Sequence, residues 1–77
     1  MIKEGDLVKI VDIHTQDSYY LNKELYIGQQ GLVQMIDYDD VPVGYVSAEV
    51  ALINNIYAIS NRPFFFAVTL VSVDETT

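Results

Sequence analysis

The sequence predicts an all-β domain, a five-stranded antiparallel barrel with a long first loop, and three observations support that prediction. Runs of β-branched and aromatic residues alternate between two faces, as half-buried strands do. Glycine, proline, asparagine and aspartate separate these runs where turns are needed. The chain has 77 residues, and closing so short a sheet on itself removes its edge strands. We therefore interpret residues 1–77 as one domain with a thin core.

The first two strands are predicted from apolar runs that follow glycines. Leu7–Ile13 comes directly after a glycine–aspartate pair and is rich in β-branched residues. A long, polar and irregular segment, residues 14–29, separates it from a second strand over residues 32–36. Acids, proline and glycine in residues 37–44 then predict a turn.

The segment 45–53 is compatible with two structures. Its apolar residues alternate, which favours a strand with one buried face. A helix that starts after Ser47 is the alternative, because apolar residues also recur there at helical spacing. Asn54 and Asn55 favour the strand, since asparagine tolerates the positive φ of a two-residue hairpin turn. A further strand over residues 57–59 would follow that turn.

The last strand, Phe64–Val71, is the clearest, because it is aromatic and β-branched with no breaker. Strict alternation places Phe66 inside the barrel and Phe65 outside it. The side chains expected in the interior are Val8, Ile10, Val33, Val50, Phe66, Val68 and Leu70.

Composition excludes several classes of function. Eleven acids against four bases give a net charge of −7, and scattered bases do not support counterion release from nucleic acid or attachment to an anionic membrane. There is no cysteine, hence no disulfide framework and no thiolate chemistry. We expect a cytoplasmic protein, bacterial or viral, because we see neither an apolar span nor a signal-peptide pattern.

Three segments give the chain a family resemblance. They read GDLVKI at residues 5–10, IGQQGLV at 27–33 and FAVTLVSVDE at 66–75. Together they resemble SH3-like barrels, including KOW-type domains, photosystem I subunit IV and the ferredoxin–thioredoxin reductase variable chain. The resemblance implies the architecture, with Gly31 at a place where a Cβ would clash or φ is positive.

The functions of those families do not transfer to this sequence. The chain has no tryptophan for a proline-rich ligand groove, and it is acidic where RNA-binding KOW domains are basic. The fold also hosts many unrelated roles.

Two groups of residues are candidates for catalysis or metal binding, but we expect both to be solvated surface residues. His14 is the only histidine, and with no nucleophile motif nearby we interpret it as a solvated residue at a strand end. Asp37, Asp39 and Asp40 form the densest carboxylate cluster, but the glycine and glutamate of a calcium-binding loop are missing. We expect a solvated hairpin tip there, with weak cation binding or mimicry of DNA phosphates as alternatives.

The tyrosines of the long loop are the candidate binding residues. Tyr19, Tyr20 and Tyr26 lie there with Asp17 beside them, and tyrosine suits recognition because it joins apolar area to a polar tip. Capping the open end of the barrel is an equally good interpretation for them. Phe65 is a further candidate binding residue. The chain has more apolar side chains than a small barrel can enclose, and Phe65 is one of those expected outside.

We therefore expect a non-catalytic module, a small acidic adaptor or inhibitor that binds a protein, or a second copy of itself, through the tyrosine loop and an apolar strand face. No cofactor, metal or catalytic residue is expected. The alternatives are an oligomeric protein that sequesters a small molecule, possibly phage-encoded, and an acidic mimic of DNA.

Overall fold

Four antiparallel strands form the framework of the molecule. The computed structural model describes residues 1–14, 23–53 and 62–73. Strand β1 spans Leu7–Ile13, β2 spans Gln30–Asp37, β3 spans Val46–Leu52 and β4 spans Phe64–Ser72. A single turn of 3₁₀ helix, Lys23–Leu25, precedes β2. None of the helical residues in these ranges forms a segment with the length and hydrophobicity needed to cross a membrane.

The strands close into a ring in the order β1-β2-β3-β4, with β4 returning to β1. Each strand therefore pairs with two neighbours, always antiparallel. The all-β prediction is confirmed, whereas the number of strands within the described ranges is four rather than five. The ring closes without the strand expected over residues 57–59. That strand and the Asn54–Asn55 turn lie outside the described residues.

Strand boundaries follow the sequence pattern closely. β1 has the predicted limits, and the segment that was open to either strand or helix is a strand over Val46–Leu52. The predicted turn between β2 and β3 is also present, with Asp40 at a φ of 58°. Asparagine and aspartate adopt this left-handed conformation more readily than other residues with a side chain.

Three register shifts bring neighbouring residues onto the same face of a strand. β1 carries one extra residue between Ile10 and Asp12, relative to β4. β2 carries one between Val33 and Met35, relative to β3. Such bulges bend a strand and increase its twist, which helps four strands to close into a ring.

The third shift lies in β4 and reverses the predicted placement of its phenylalanines. Val46 of β3 pairs with Val68, but Ala48, two residues later, pairs with Phe65, three residues back along β4. Phe65 is fully buried, whereas Phe66 is 62% exposed. The predictions that Phe66 lies inside and Phe65 outside are therefore both wrong, because strict alternation does not survive a bulge.

The interior of the ring is filled by aliphatic side chains with two aromatic rings. Tyr26, in the turn after the 3₁₀ helix, packs edge-to-face on Phe65 with ring centroids 5.7 Å apart. Six of the seven predicted interior residues are buried. The complete core cluster consists of Val8, Ile10, Ile13, Tyr26, Val33, Ala48, Val50, Leu52, Phe65, Val68 and Leu70.

Candidate functional site

The outward side of β4 carries the most exposed aromatic surface on the described strands. Phe64 and Phe66 flank the buried Phe65, and they are 38% and 62% exposed. Their rings meet edge-to-face, with centroids 5.5 Å apart and planes at 86°. Edge-to-face contact is favourable for the quadrupoles of both rings. The two side chains together form an apolar patch on the surface.

Polar residues from the two neighbouring strands lie along the same side of β4. Glu49 of β3 lies directly opposite Phe64 in the register. Asp12 of β1 lies opposite Thr69, three residues beyond Phe66 on β4. The β4 outer face, as we name it, comprises Phe64, Phe66 and Thr69 with Asp12, Tyr45 and Glu49.

Tyr45 joins the two sides of the β4 outer face. It lies directly before β3, and its hydroxyl donates to Oδ2 of Asp12, on β1, at 2.5 Å. Thr69, on the intervening strand, donates its hydroxyl to the carbonyl of Gly44 at 2.9 Å. The side chain of Tyr45 therefore crosses over β4. Its hydroxyl is fixed by Asp12, and the backbone next to it is fixed by Thr69.

The hydrogen bond to Asp12 raises the pKa of Tyr45 above its ordinary value of 10.0, and partial loss of hydration and the carboxylate charge add to the shift. A phenol with a raised pKa remains protonated at neutral pH. Tyr45 is therefore a hydrogen-bond donor that fixes Asp12, rather than a base. The edge of one ring also meets the face of the other between Tyr45 and His14, with centroids 4.9 Å apart.

Glu49 forms an ion pair with Arg62 of the same chain. Nη2 of Arg62 lies 3.8 Å from Oε1 of Glu49 and donates to Oε1 of Gln34 at 3.3 Å. The backbone around the face is also tied, because Ser47 Oγ donates to the carbonyl of Phe66 at 2.6 Å. The β4 outer face is thus built from side chains whose positions are fixed by contacts with neighbouring strands.

A second apolar surface lies on the outward sides of β1 and β2 and on the adjoining ends of β3 and β4. Leu7 lies opposite Leu32, which in turn lies opposite Ala51. Lys9 lies opposite Val71. This second apolar surface comprises Leu7, Lys9, Leu32, Ala51, Ile53 and Val71, and none of these residues is acidic.

A shallow depression of about 320 Å³ adjoins the second apolar surface, lined by Gly28, Gln29, Gln30 and Ile53. Gln29 donates its amide to the carbonyl of Leu25, while its Oε1 is buried without a hydrogen-bond partner. The depression is open, and the described residues that line it offer no charged side chain, so these residues alone are poorly suited to hold a small molecule tightly.

Two of the five predicted binding residues are described in the structure, and both are buried. Tyr26 and Phe65 are both buried and contact each other in the core, so neither is available on the surface. Tyr26 belongs to the core cluster. Tyr19, Tyr20 and Asp17 lie outside the described residues.

The remaining sequence candidates are peripheral. His14 is half-buried at the end of β1, with its backbone N–H donating to the carbonyl of Ala67 at 2.9 Å. Asp37, Asp39 and Asp40 are exposed at the β2–β3 turn, where the Asp39 N–H donates to Asp37 Oδ1 at 3.0 Å. Over residues 1–14, 23–53 and 62–73, no group of three or more acids and histidines is placed to hold a metal ion.

Sequence reasoning missed the residues that form the β4 outer face. The signal was present in the run of three phenylalanines at 64–66, because at least one ring must face outward whichever phase the strand adopts. Comparison with protein-family models, with curated proteins and with solved structures finds no match for this chain. The similarity to SH3-like and KOW-type domains therefore remains a prediction.

Proposed function

We propose that the chain is a non-catalytic binding module that docks on another protein through the β4 outer face. The observation that carries this proposal is the outward Phe64–Phe66 pair. A small monomeric protein gains nothing in stability from aromatic rings held in water, whereas large exposed apolar groups commonly mark interaction surfaces.

The size of the exposed ring supports the proposal. With 62% of its surface exposed, Phe66 offers on the order of 100–150 Å² and hence about 3 kcal/mol of burial free energy. Interfaces draw most of their affinity from a few such aromatic anchors bordered by polar groups. Asp12 and Glu49 would form that polar border.

The segment that contains Tyr19 and Tyr20 belongs to the same proposal. It follows His14 in sequence, and the ring of His14 contacts Tyr45 on the β4 outer face. Segments that connect strands are frequent sites of recognition. We therefore propose that Tyr19 and Tyr20 add contacts to the same partner.

We further propose that the ring is an SH3-like barrel. The order of its strands supports this, together with the long connection between β1 and β2. The fit of Gly31 supports it as well, since a Cβ there would lie 2.5 Å from the carbonyl oxygen of Ala51. Such a fold presents binding residues on a small rigid frame without dictating what they bind.

Photo-crosslinking in the cells that produce the protein tests the docking proposal. A photoreactive benzoylphenylalanine replaces Phe66 in one variant and, as the matched control, Leu32 on the second apolar surface in another. We expect the variant at position 66 to give one discrete crosslinked protein that the variant at position 32 does not give. Absence of any crosslink at position 66 would refute docking through this face.

Self-association is a second candidate, favoured by the second apolar surface. None of the residues that form this surface is acidic, so two copies that meet there would not bring carboxylates of this surface against each other. A crosslink from position 32 that joins two copies, each of 8.7 kDa, would support this candidate. The same crosslinking experiment therefore distinguishes a partner protein from a second copy.

A further inference from the structure

The β4 outer face combines exposed aromatic rings with carboxylates on both sides of one strand. Phe66 lies between Phe64, which is opposite Glu49, and Thr69, which is opposite Asp12. Because β1 and β3 flank β4, Glu49 lies on the β3 side of Phe64 and Asp12 lies on the β1 side of Thr69, each strand being about 5 Å from β4 in the hydrogen-bonding direction. An occupant of this face would meet an apolar centre and two negative edges.

This combination favours a cation carried on an apolar stem. The face of an aromatic ring attracts an ammonium or guanidinium group, and a carboxylate forms strong charge-assisted hydrogen bonds with the same groups. The aliphatic part of an arginine or lysine side chain would at the same time cover apolar surface of the rings. Neutral and anionic groups lack at least one of these contacts.

The chain itself shows that Glu49 accepts a cationic partner. The guanidinium of Arg62 lies 3.8 Å from Glu49 and also donates to Gln34. A carboxylate accepts hydrogen bonds at both of its oxygens, so a second cation can share Glu49. Asp12 is held in place by the hydroxyl of Tyr45 at 2.5 Å, and its carboxylate has a second oxygen that can accept.

The net charge gives the same preference over a longer range. At −7, the protein repels nucleic acid and other acidic partners and attracts basic ones, which raises the association rate at low salt. A second copy would bring the same two carboxylates against its own. The charge complementarity therefore selects a partner of the opposite sign for this face.

We propose that the β4 outer face recognises a basic partner, a peptide segment or protein surface that seats an arginine or lysine on Phe66 and brings further basic groups to Glu49 and Asp12. This inference rests on the proposed function and names the chemistry of the partner. It goes further because docking through the phenylalanine pair alone would require only an apolar partner.

A peptide titration followed by backbone amide NMR tests the inference. The probe is a peptide that alternates leucine and arginine, and its control is the same peptide with citrulline, which replaces the guanidinium by a neutral urea. We expect saturable shifts at Phe64, Phe66 and Glu49 with the arginine peptide and binding at least about fivefold weaker with the citrulline peptide. Raising the salt concentration should weaken the arginine complex.

Three variants assign the contacts. Phe66→Gln should weaken the arginine complex about fivefold or more by removing the ring. Glu49→Gln and Asp12→Asn should each weaken it severalfold, and the asparagine still offers an oxygen to Tyr45. Leu32→Gln, on the second apolar surface, is the matched control and should leave the affinity unchanged.

The outcomes separate this inference from the proposed function. Equal binding of the arginine and citrulline peptides, or shifts confined to the second apolar surface, would overturn the basic-partner inference. A protein captured through position 66 whose complex is insensitive to salt and to Glu49→Gln would overturn it too, while leaving the docking proposal intact. Failure of every crosslink at position 66 would remove the docking proposal itself.

Discussion

At the residue scale, Gly31 lies where the backbones of β2 and β3 leave no room for a side chain. A Cβ at this position would lie 2.5 Å from the carbonyl oxygen of Ala51 and 2.7 Å from Cγ1 of Val50. The first of these atoms is backbone, so it cannot move away without disturbing the β2–β3 ladder. The expected clash at Gly31 is thus confirmed, and the cause is proximity rather than a positive φ.

We predict that Gly31→Ala destabilises the protein by about 1–3 kcal/mol, the usual cost of forcing an extra group into a packed site. Urea denaturation measures the change as a lower midpoint. Leu32→Ala is the control at the adjacent exposed position and should cost less than about 1 kcal/mol. A Gly31→Ala variant as stable as the parent protein would contradict the close approach of these strands.

The Tyr45–Asp12 hydrogen bond gives the molecule a pH dependence of definite sign. The pKa of Tyr45 is raised above 10.0, first by its hydrogen bond to Asp12. Because the pKa of Tyr45 is higher in the folded than in the unfolded state, its hydrogen bond contributes its full stabilisation at a pH below the unfolded-state pKa. This stabilisation is lost as the pH rises through the folded-state pKa. The affected window therefore lies above pH 10.

We predict that the free energy of unfolding falls more steeply above pH 10 in the parent protein than in Tyr45→Phe, which has no phenol to ionise at this position. Urea denaturation from pH 8 to pH 11.5 provides the comparison. Tyr38→Phe is a matched control, since its phenol donates to a backbone carbonyl and faces no carboxylate in that bond. Parallel pH profiles for the parent protein and Tyr45→Phe would show that the Asp12 bond contributes nothing.

At the scale of elements, the bulge in β4 decides which phenylalanine lies in the core and which ones lie on the surface. Phe65 packs on Tyr26 in the interior, while its two neighbours face outward. Without the extra residue, the inward positions Val68 and Leu70 would enforce Phe66 as the next inward ring. A single inserted residue therefore exchanges the roles of adjacent side chains.

We predict opposite consequences for two neighbouring truncations. Phe65→Ala should cost about 3–5 kcal/mol, because it leaves a cavity in a thin core. Phe66→Ala should change the free energy of unfolding by less than about 1 kcal/mol but abolish the position-specific docking. Urea denaturation of both variants measures the two changes in the free energy of unfolding. A larger decrease for Phe66→Ala than for Phe65→Ala would contradict the bulge and indicate strict alternation along β4.

At the scale of the whole molecule, the two exposed surfaces that we propose as candidate interfaces differ in charge. The β4 outer face carries two carboxylates, whereas the second apolar surface carries a lysine and no acid. The overall charge of −7 opposes contact between copies and favours contact with a basic partner. Salt screens both effects, so it moves the two kinds of assembly in opposite directions.

We predict that added salt weakens the complex with a basic partner and strengthens any assembly of identical copies. Sedimentation velocity at low and high salt measures the second effect directly, at protein concentrations of about 100 µM, where even weak dimers are populated. Leu32→Glu should suppress self-association without altering the response to the arginine peptide. A chain that remains monomeric in both salts would assign the second apolar surface no role in self-association.

Part of this architecture was accessible from the sequence because it depends on local signals. The limits of β1, the strand character of Val46–Leu52 and the turn around Asp40 follow from β-propensity, alternation and turn chemistry, which act over a few residues. The requirement for glycine at position 31 was also foreseen, through the resemblance rather than through any local rule. Acidic composition and the absence of cysteine are fixed by the residues themselves.

What only the tertiary structure decided is where side chains face once the register shifts. Bulges in β1, β2 and β4 arise because four twisted strands must close into one ring, and the position of an extra residue depends on the partner strand. This is why Phe65 and Tyr26, taken from the sequence as binding residues, belong to the core. It is also why Phe66, expected in the core, lies on the outer side of β4. Asp12 and Tyr45 are distant in sequence, and they meet across the same strand only in the closed sheet.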